Sequence, residues 1–544
     1  TPGGAPANVA VQAKRAGVSA GFLGRVGKDM FGDFLVSTLK DCGVETQGLS
    51  QDPDYATTLA FVQLNDQGDR DFSFYRNPGA DTRLSFEGTD LSLLDNCKLL
   101  CFGSLLMTAE PSRSAVEQLV DYLKNLRFTD EDIEFLHSKH IFSREFLDYL
   151  RNFRFSCDVW AIPEGTPIFP GEPIVTVRGP AIQAQFVETM LLLCINHQSL
   201  IATKANRIVR AAQGRAVMEF GSRRAQGFDG AMLGARAAYI GGCVGTACTI
   251  SDQSYGVPAL GTMAHSWVQL FPSEYDAFKA YAESYPGNCV LLVDTYNVLK
   301  SGVPNAIKVF NEVLVPQGFR PAGIRIDSGD ITYLSRKARK MLDDAGFEDC
   351  PICASNSLDE YIIRDMLVQG AKVDSFGVGE RLITSSSEPV FGGVYKLAAV
   401  EDQEGHIIPK IKISENVSKI TTPCFKSVWR LFDKETDKAI ADVITLHDEV
   451  IDDEKPYTIF DPEHTWKRKT VENFTAVSLL QPIFKGGECV YTPRALNAIK
   501  AYCMAQVDSL WEEVTRFENP HNYYVDLSQK LWDEKNRMLS EKNY

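Results

Sequence analysis

The sequence has no apolar run of about 18 residues, the length a membrane-spanning helix needs, and no secretory leader pattern. A membrane partner is therefore not expected, and a cytoplasmic location is. Positive charge is in short supply: 56 Lys and Arg stand against 71 Asp and Glu, for a net charge of −15. Nucleic-acid binders are usually basic, so no nucleic-acid partner is expected, although local basic pockets for phosphate remain compatible with this balance. No disulfide framework is legible. The 13 cysteines are odd in number and scattered over 544 residues, which suits a reducing compartment. The one C-x-x-C spacing, Cys350 to Cys353, has no second pair and leads into a strand, so no metal or redox role is read from it. An initiator Met is lacking at Thr1, which reads as a fragment or a trimmed chain.

What is present is ordinary for a globular protein: 44% hydrophobic and 23% charged residues. The length implies roughly three or four structural units. Residues 1–122 alternate helical and strand patterns. A glycine motif, Gly3-Gly4-Ala5-Pro6-Ala7-Asn8, precedes a helix with Val9, Val11, Ala13 and Ala16 as its apolar positions. A strand over 20–23, a turn at Gly24-Arg25-Val26-Gly27 and helical periodicity over 28–42 follow. Residues 57–64 and 71–76 read as paired strands around Asp66-Gln67-Gly68, 98–105 as a buried strand and 111–123 as a helix. This order predicts an open α/β sheet. GGAPANVA (residues 3–10) and GRVGKDMFGDFL (24–35) resemble the amino-terminal half of ribokinase/fructokinase (PfkB-type) sugar kinases. In that family the first motif helps line the sugar pocket. The resemblance places phosphoryl transfer in a C-terminal Gly-Ala-Gly-Asp turn, where a helix N-terminus stabilises the phosphate and an Asp acts as base. No Gly-Ala-Gly-Asp occurs in this chain, and the strand expected ahead of the glycine pair is missing. A truncated ribokinase-like half-domain without sugar kinase activity is expected, with an uncovered edge and apolar face.

The remainder is organised around residues 323–330, GIRIDSGD. A buried strand stops at Asp327-Ser328-Gly329-Asp330, and a helix follows over 331–345 with Leu334, Ala338, Met341 and Leu342 as apolar positions. Carboxylates at the C-terminal end of a strand suit Mg²⁺ or sugar hydroxyls; the plain alternative is a βα turn with an Asp or Ser cap. The same form recurs. Strands over 217–220, 259–263, 290–293, 352–354 and 375–378 end at Gly221-Ser222-Arg223-Arg224, Ala264-His265-Ser266, Asp294-Thr295-Tyr296, Ser355-Asn356-Ser357 and Gly379-Glu380-Arg381, and a strand over 393–397 follows Gly392. Helices over 273–285, 302–315 and 359–369 separate most of them. Strand, polar turn and helix in series predict a β/α barrel with its site at the C-terminal rim. Ahead of it, Thr129 is expected to cap a helix, 154–169 and 172–178 to form a small β-rich region, and 183–209 a long helix, interrupted if anywhere near Asn196. His197 on that helix reads as a packing histidine.

These residue types fit together chemically. Arg223 and Arg224 offer planar forks for a carboxylate or phosphate. Asp327 and Asp330 suit Mg²⁺ or ribose. Gly377, Gly379, Gly392 and Gly393 bare backbone N–H groups to a phosphate. His265 is a candidate phosphoryl acceptor or acid–base group, with Asp294 to orient its ring. MEFGSRRAQG (218–227), GTMAHSW (261–267), LVDTYN (292–297), SGVPNAIKVF (301–310), IRIDSGD (324–330), ASNSLDE (354–360), FGVGERLITS (376–385), GGVYKL (392–397) and IFDPEHTWKRK (459–469) resemble the nicotinate phosphoribosyltransferases, the type II enzymes of NAD salvage. The resemblance implies an irregular β/α barrel with a partial β-rich domain. It implies nicotinate and phosphoribosyl pyrophosphate as substrates, nicotinate mononucleotide and pyrophosphate as products, coupled ATP hydrolysis, Mg²⁺ and a homodimer. Arg223 and Arg224 would then meet anionic ends of substrate. Asp327 and Asp330 would serve ribose and Mg²⁺, and the four glycines the 5′-phosphate. Ser266, Thr295, Arg325, Ser328, Ser355 and Asn356 would supply further substrate contacts, and His265 would be the phosphohistidine. Three rivals stay open: a catalytically dead binding protein, a fructose-type kinase and a nicotinamide-specific relative.

The expected units are therefore 1–122, 123–215, 216–400 and 401–544. The two resemblances meet at residues 122–125 without a linker, inside a helix expected to run on to Phe128. Natural fusions usually join whole domains through exposed linkers, so a deletion, a rearranged gene or a mis-joined frame is expected. A Tyr- and Thr-rich segment that opens the transferase family, and that places an aromatic ring over the pyridine, is replaced here by kinase-like sequence.

Overall fold

The computed structural model describes residues 5–15, 19–22, 24–53, 56–57, 59–64, 70–75, 120, 122–415 and 420–541, in two units that divide between Pro111 and Ser112. In the first unit, helix Ala5–Arg15 precedes a parallel pair of strands, Gly24–Gly27 and Leu49–Asp52. Helix Met30–Asp41 lies between those two strands in sequence, and Asp29 caps it by accepting from Phe31 N and Gly32 N at 3.0 and 2.8 Å. Strands Leu59–Leu64 and Arg70–Tyr75 pair antiparallel, as expected. The strand expected at 98–105 and the helix expected over 111–119 lie outside the described residues. The α/β character expected of this unit is present in the parallel pair and its crossover helix.

The second unit is built on a parallel sheet. Its strands are β1 (Ala216–Glu219), β2 (Gly245–Thr246), β3 (Val290–Leu292), β4 (Gly323–Ile326), β5 (Ile352–Ser355) and β6 (Ser375–Val378), in the order β2-β1-β6-β5-β4-β3. Their apolar runs are covered on both faces: Leu291, Leu292, Ile324, Ile326, Ile352, Ala354, Phe376 and Val378 are all fully buried. Helices Phe228–Ile240, Glu274–Ser284, Ile331–Asp344 and Glu360–Val368 follow four of these strands or the segments between them. Every strand pair is parallel, so all six C-terminal ends fall on one rim.

Four local expectations differ. Residues 259–263 form no strand beyond an isolated bridge from Ala259 to Thr246, and the short strand β2, not expected, lies between that bridge and β1. Residues 393–397 form no ladder, and Val394 and Leu397 are exposed. The long helix breaks at Val187, between Ala181–Phe186 and Glu188–Ala211, and runs unbroken through Asn196, since one Asn is a small helix penalty. The junction helix ends at Asn125 instead of reaching Phe128. Thr129 does cap the next helix, in a full capping box with Asp132.

The β-rich region draws on both ends of the unit. Asp158–Ala161 pairs with Val175–Arg178 and also with Gln481–Lys485, more than 300 residues away in sequence. Val120 and Leu123 are buried against Val159, Val187, Leu191, Ile483 and Phe484, so residues at the junction of the two resemblances pack inside this unit. A second, mixed sheet, Phe474–Ser478, Lys426–Asp433, Ala439–Leu446 and Val525–Leu527, antiparallel except for the last pair, completes the C-terminal region. Among the described residues no helix is long and apolar enough to cross a membrane.

Candidate active site

The rim gathers side chains from β3, β4, β5 and the segment after β2. Gly329, with φ of +80°, lets the chain turn sharply after β4. Asp294, at the end of β3, accepts on one oxygen from Asp327 N at 3.1 Å and from Ser328 Oγ at 2.6 Å. That carboxylate joins two neighbouring turns. Its other oxygen, Oδ1, is buried with no hydrogen-bond partner. Ser355, at the end of β5, donates its hydroxyl to Asp327 Oδ1. Asp327 Oδ2 lies 3.5 Å from His265 Nε2, with Asp294 Oδ1 at 4.0 Å. His265 Nδ1 shares a hydrogen bond of 3.2 Å with Thr295 Oγ1. His265 opens the short helix His265–Gln269, and its side chain is 40% exposed. Imidazole, two carboxylates and three hydroxyls are thus brought together from residues 265 to 355.

Arg325 reaches from β4 to Thr262 Oγ1 at 2.6 Å, and its Nε is buried without a partner. A buried guanidinium N–H with no acceptor is unusual, and an anionic ligand would satisfy it. Arg223 and Arg224 lie in a single 3-10 turn after β1 and are exposed, and Ser266 is exposed too. Asp330 accepts from Tyr333 N at 3.0 Å and so caps helix Ile331–Asp344, the plain alternative for that residue. The glycines separate into two kinds. Gly377 and Gly379 pack against Phe220: a Cβ on Gly377 would fall 2.5 Å from its ring, and one on Gly379 would lie 3.3 Å from its carbonyl oxygen. Gly392, with φ of +74°, faces open space, whereas a Cβ on Gly393 would fall 2.6 Å from Asn196 Oδ1. Among the described residues no three His, Cys, Asp or Glu side chains converge to hold a metal by themselves.

Several participants were not singled out from sequence. Glu219, at the end of β1, is fully buried; its carboxylate accepts from Gly221 N and from Thr246 Oγ1, and burial pushes its pKa up. Asp359 pairs with Arg381. Glu360 is 2% exposed and pairs with Lys204 and Arg207; burial pushes its carboxyl up, but those two cations outweigh it and hold it below its usual range. Glu219, Asp359 and Glu360 lie inside the motifs quoted above. Their burial is the signal, and it exists only once the chain is folded. His197 packs beside Gly230 and Gly234, and burial holds its pKa down.

A parallel β/α part-barrel with acidic, hydroxyl and basic groups on its C-terminal rim defines the class: the arrangement of a β/α-barrel enzyme. Comparison with known proteins narrows this. The family model described as nicotinate phosphoribosyltransferase N-terminal domain matches residues 109–196, and that of the C-terminal domain matches 425–535. The model of the pfkB family carbohydrate kinases matches residues 1–139. The nicotinate phosphoribosyltransferase of Bacillus subtilis is 43% identical over 428 residues, covering 79% of this chain and 86% of its own length. The Homo sapiens enzyme of that name is 29% identical, covering 77% and 87%. The crystal structure of human nicotinic acid phosphoribosyltransferase superposes with a TM-score of 0.67 at 27% identity, over 78% of this chain and 91% of that one. A nicotinate-nucleotide pyrophosphorylase from Pyrococcus furiosus shares the fold, with a TM-score of 0.53 at 24% identity over 72% of this chain and 96% of that one. The chain belongs to the nicotinate phosphoribosyltransferase family, a family of enzymes, and carries a PfkB-type fragment ahead of it.

Proposed function

We propose that the chain joins nicotinate to phosphoribosyl pyrophosphate, releasing pyrophosphate and forming nicotinate mononucleotide for NAD salvage, with ATP hydrolysed alongside. The observation that carries this reading is the Asp294–Asp327–His265 cluster, groups suited to ribose and phosphate, at the end of β4, the strand on which Arg325 has a buried Nε with no partner. Arg223, Arg224 and Arg325 take the carboxylate and phosphate ends of the substrates. Asp327, Ser328, Ser355 and Asn356 meet the ribose, with Ser266 and Thr295 nearby. Gly377, Gly379, Gly392 and Gly393 present backbone N–H groups to the 5′-phosphate. Asp327 and Asp330 would hold Mg²⁺: two hard carboxylates suffice for an ion that takes its remaining ligands from water and substrate phosphates. When bound, that ion would neutralise charge on the departing pyrophosphate. The pyridine nitrogen is a neutral nucleophile that needs little activation, so holding it in line with C1 of ribose dominates catalysis. Positive charge growing on the ribose is met by the Asp327 and Asp294 carboxylates. His265 accepts the ATP phosphoryl group and couples its hydrolysis to turnover.

The chain acts as a homodimer in this reading, and the divisions at 122, 215 and 400 mark its units. The kinase-like fragment lacks the catalytic turn and carries no phosphorylation of its own. The test is nicotinate-dependent pyrophosphate release by the purified chain with phosphoribosyl pyrophosphate, Mg²⁺ and ATP, with nicotinamide in parallel. Turnover with nicotinate and not nicotinamide is expected. A folded chain that binds phosphoribosyl pyrophosphate without releasing pyrophosphate would be the dead binder instead.

A further inference from the structure

The turn after β5 is held in an unfavourable backbone shape. Asn356 and Ser357 have φ of +96° and +42°. A side-chain-bearing residue in the left-handed region is uncommon, and such strain persists only where the surroundings over-determine it. Here the surroundings are specific. On one side, the Ser355 hydroxyl donates to Asp327 in the turn after β4. On the other, the Ser357 hydroxyl donates to Glu380 Oε1 at 3.2 Å, in the turn after β6. Two residues further on, Asp359 divides its carboxylate. Oδ1 accepts from Tyr361 N and Ile362 N at 3.1 and 2.9 Å, capping helix Glu360–Val368, and Oδ2 accepts from Arg381 Nη1. The next residue, Glu360, meets Lys204 Nζ at 2.8 Å and Arg207 Nε at 3.0 Å on the long helix. The start of the helix is therefore fixed, the turn after β6 is tied to it, and the left-handed pair lies between.

We propose that the Asp359–Arg381 ion pair, with the Ser357–Glu380 hydrogen bond, is a positioning device that holds the left-handed Asn356–Ser357 turn in the shape that meets phosphoribosyl pyrophosphate. This deepens, and rests on, the transferase reading above. Neither Asp359 nor Arg381 touches the substrate; they act through the backbone of residues 355–357 and 379. The arrangement exists because β5 and β6 are adjacent in the sheet, so their turns face each other across the rim.

The test uses the full chain. Asp359→Asn keeps an acceptor for the helix cap and removes the charge from Arg381; Arg381→Met removes the other partner. Both raise KM for phosphoribosyl pyrophosphate about tenfold, the scale of the strain released, with kcat little changed. Arg381→Lys recovers most of the loss. Amide hydrogen exchange at residues 356–358 is faster in Asp359→Asn and Arg381→Met than in the wild-type chain. Unchanged KM and unchanged exchange in both variants would overturn the proposal. So would a loss in Arg381→Met that Asp359→Asn does not reproduce, because Arg381 would then contact phosphate itself. A wild-type chain without turnover sinks the transferase reading alone, since the exchange comparison still decides whether the pair holds the turn.

Discussion

His265 Nε2 lies 3.5 Å from Asp327 Oδ2 while its Nδ1 shares a hydrogen bond with Thr295 Oγ1 at 3.2 Å. The ring is held between the ends of two adjacent strands, β3 and β4. Thr295 occupies one nitrogen, which leaves the other facing carboxylate. Asp327→Asn removes the negative charge without removing bulk. We expect kcat/KM to fall about a hundredfold, the usual scale for losing one charge aimed at a developing transition state, with the melting temperature little changed. Steady-state kinetics and thermal unfolding on the same preparation check this; an equal loss of stability would make Asp327 structural.

Gly302 carries a second prediction. A Cβ there would fall 1.8 Å from the carbonyl oxygen of Val293, at the end of β3, and neither backbone can yield cheaply. Gly302→Ala should destabilise the second unit by roughly 2–4 kcal/mol, as overpacking of a rigid backbone does, and should lower activity through Asp294, the next residue. Chemical denaturation reads the loss directly. Gly171→Ala, where the added Cβ meets nothing within 4 Å and only φ of +95° opposes it, should cost about 1 kcal/mol.

Arg430 and Asp442 are both fully buried and joined by two hydrogen bonds of 2.8 and 2.7 Å, with the Tyr523 hydroxyl donating to Asp442 at 2.9 Å. Removing one partner strands a charge in the interior. Arg430→Met alone should cost roughly 3–5 kcal/mol, while the double change Arg430→Met with Asp442→Leu should cost much less than the sum of the singles. A double-mutant cycle by denaturant unfolding gives both numbers.

Asp526 supplies the pH dependence. Burial, and then the charge of Asp461, push its pKa up to about 7 from an ordinary 3.8. Its folded-state pKa is raised, so the unfolded chain gives up the proton first as pH rises. The stability it contributes is complete below pH 3.8 and is lost progressively up to about 7. Asp526→Asn imitates the neutral form, so it should gain roughly 2 kcal/mol over the wild-type chain near pH 8 and nothing near pH 4. Melting temperatures at those two pH values decide it; a gain that did not grow with pH would argue against a buried, reluctantly ionised carboxyl.

Local pattern and motif determined much of this protein before any coordinates. The alternation of buried apolar runs with polar turns fixed the rim motifs as strand ends, because only a parallel sheet with crossover helices buries such runs on both faces. Thr129 as a helix cap, and helix Ile331–Asp344, depend on neighbours in sequence and were readable for that reason. Tertiary structure decided the rest. Residues 259–263 were expected as a strand, yet only Ala259 bridges, on the outer side of Gly245–Thr246, because a two-residue strand offers a neighbour too little ladder to extend. The partnership of Asp158–Ala161 with Gln481–Lys485 joins distant segments that no local periodicity connects. That Asp294 spends a carboxylate oxygen on its neighbour's turn, and that Asn356 and Ser357 are left-handed, follow from strands lying side by side. Sequence chose the residue types by their local preferences; only the sheet order brought them within hydrogen-bonding distance, since such bonds act over about 3 Å and not along the chain.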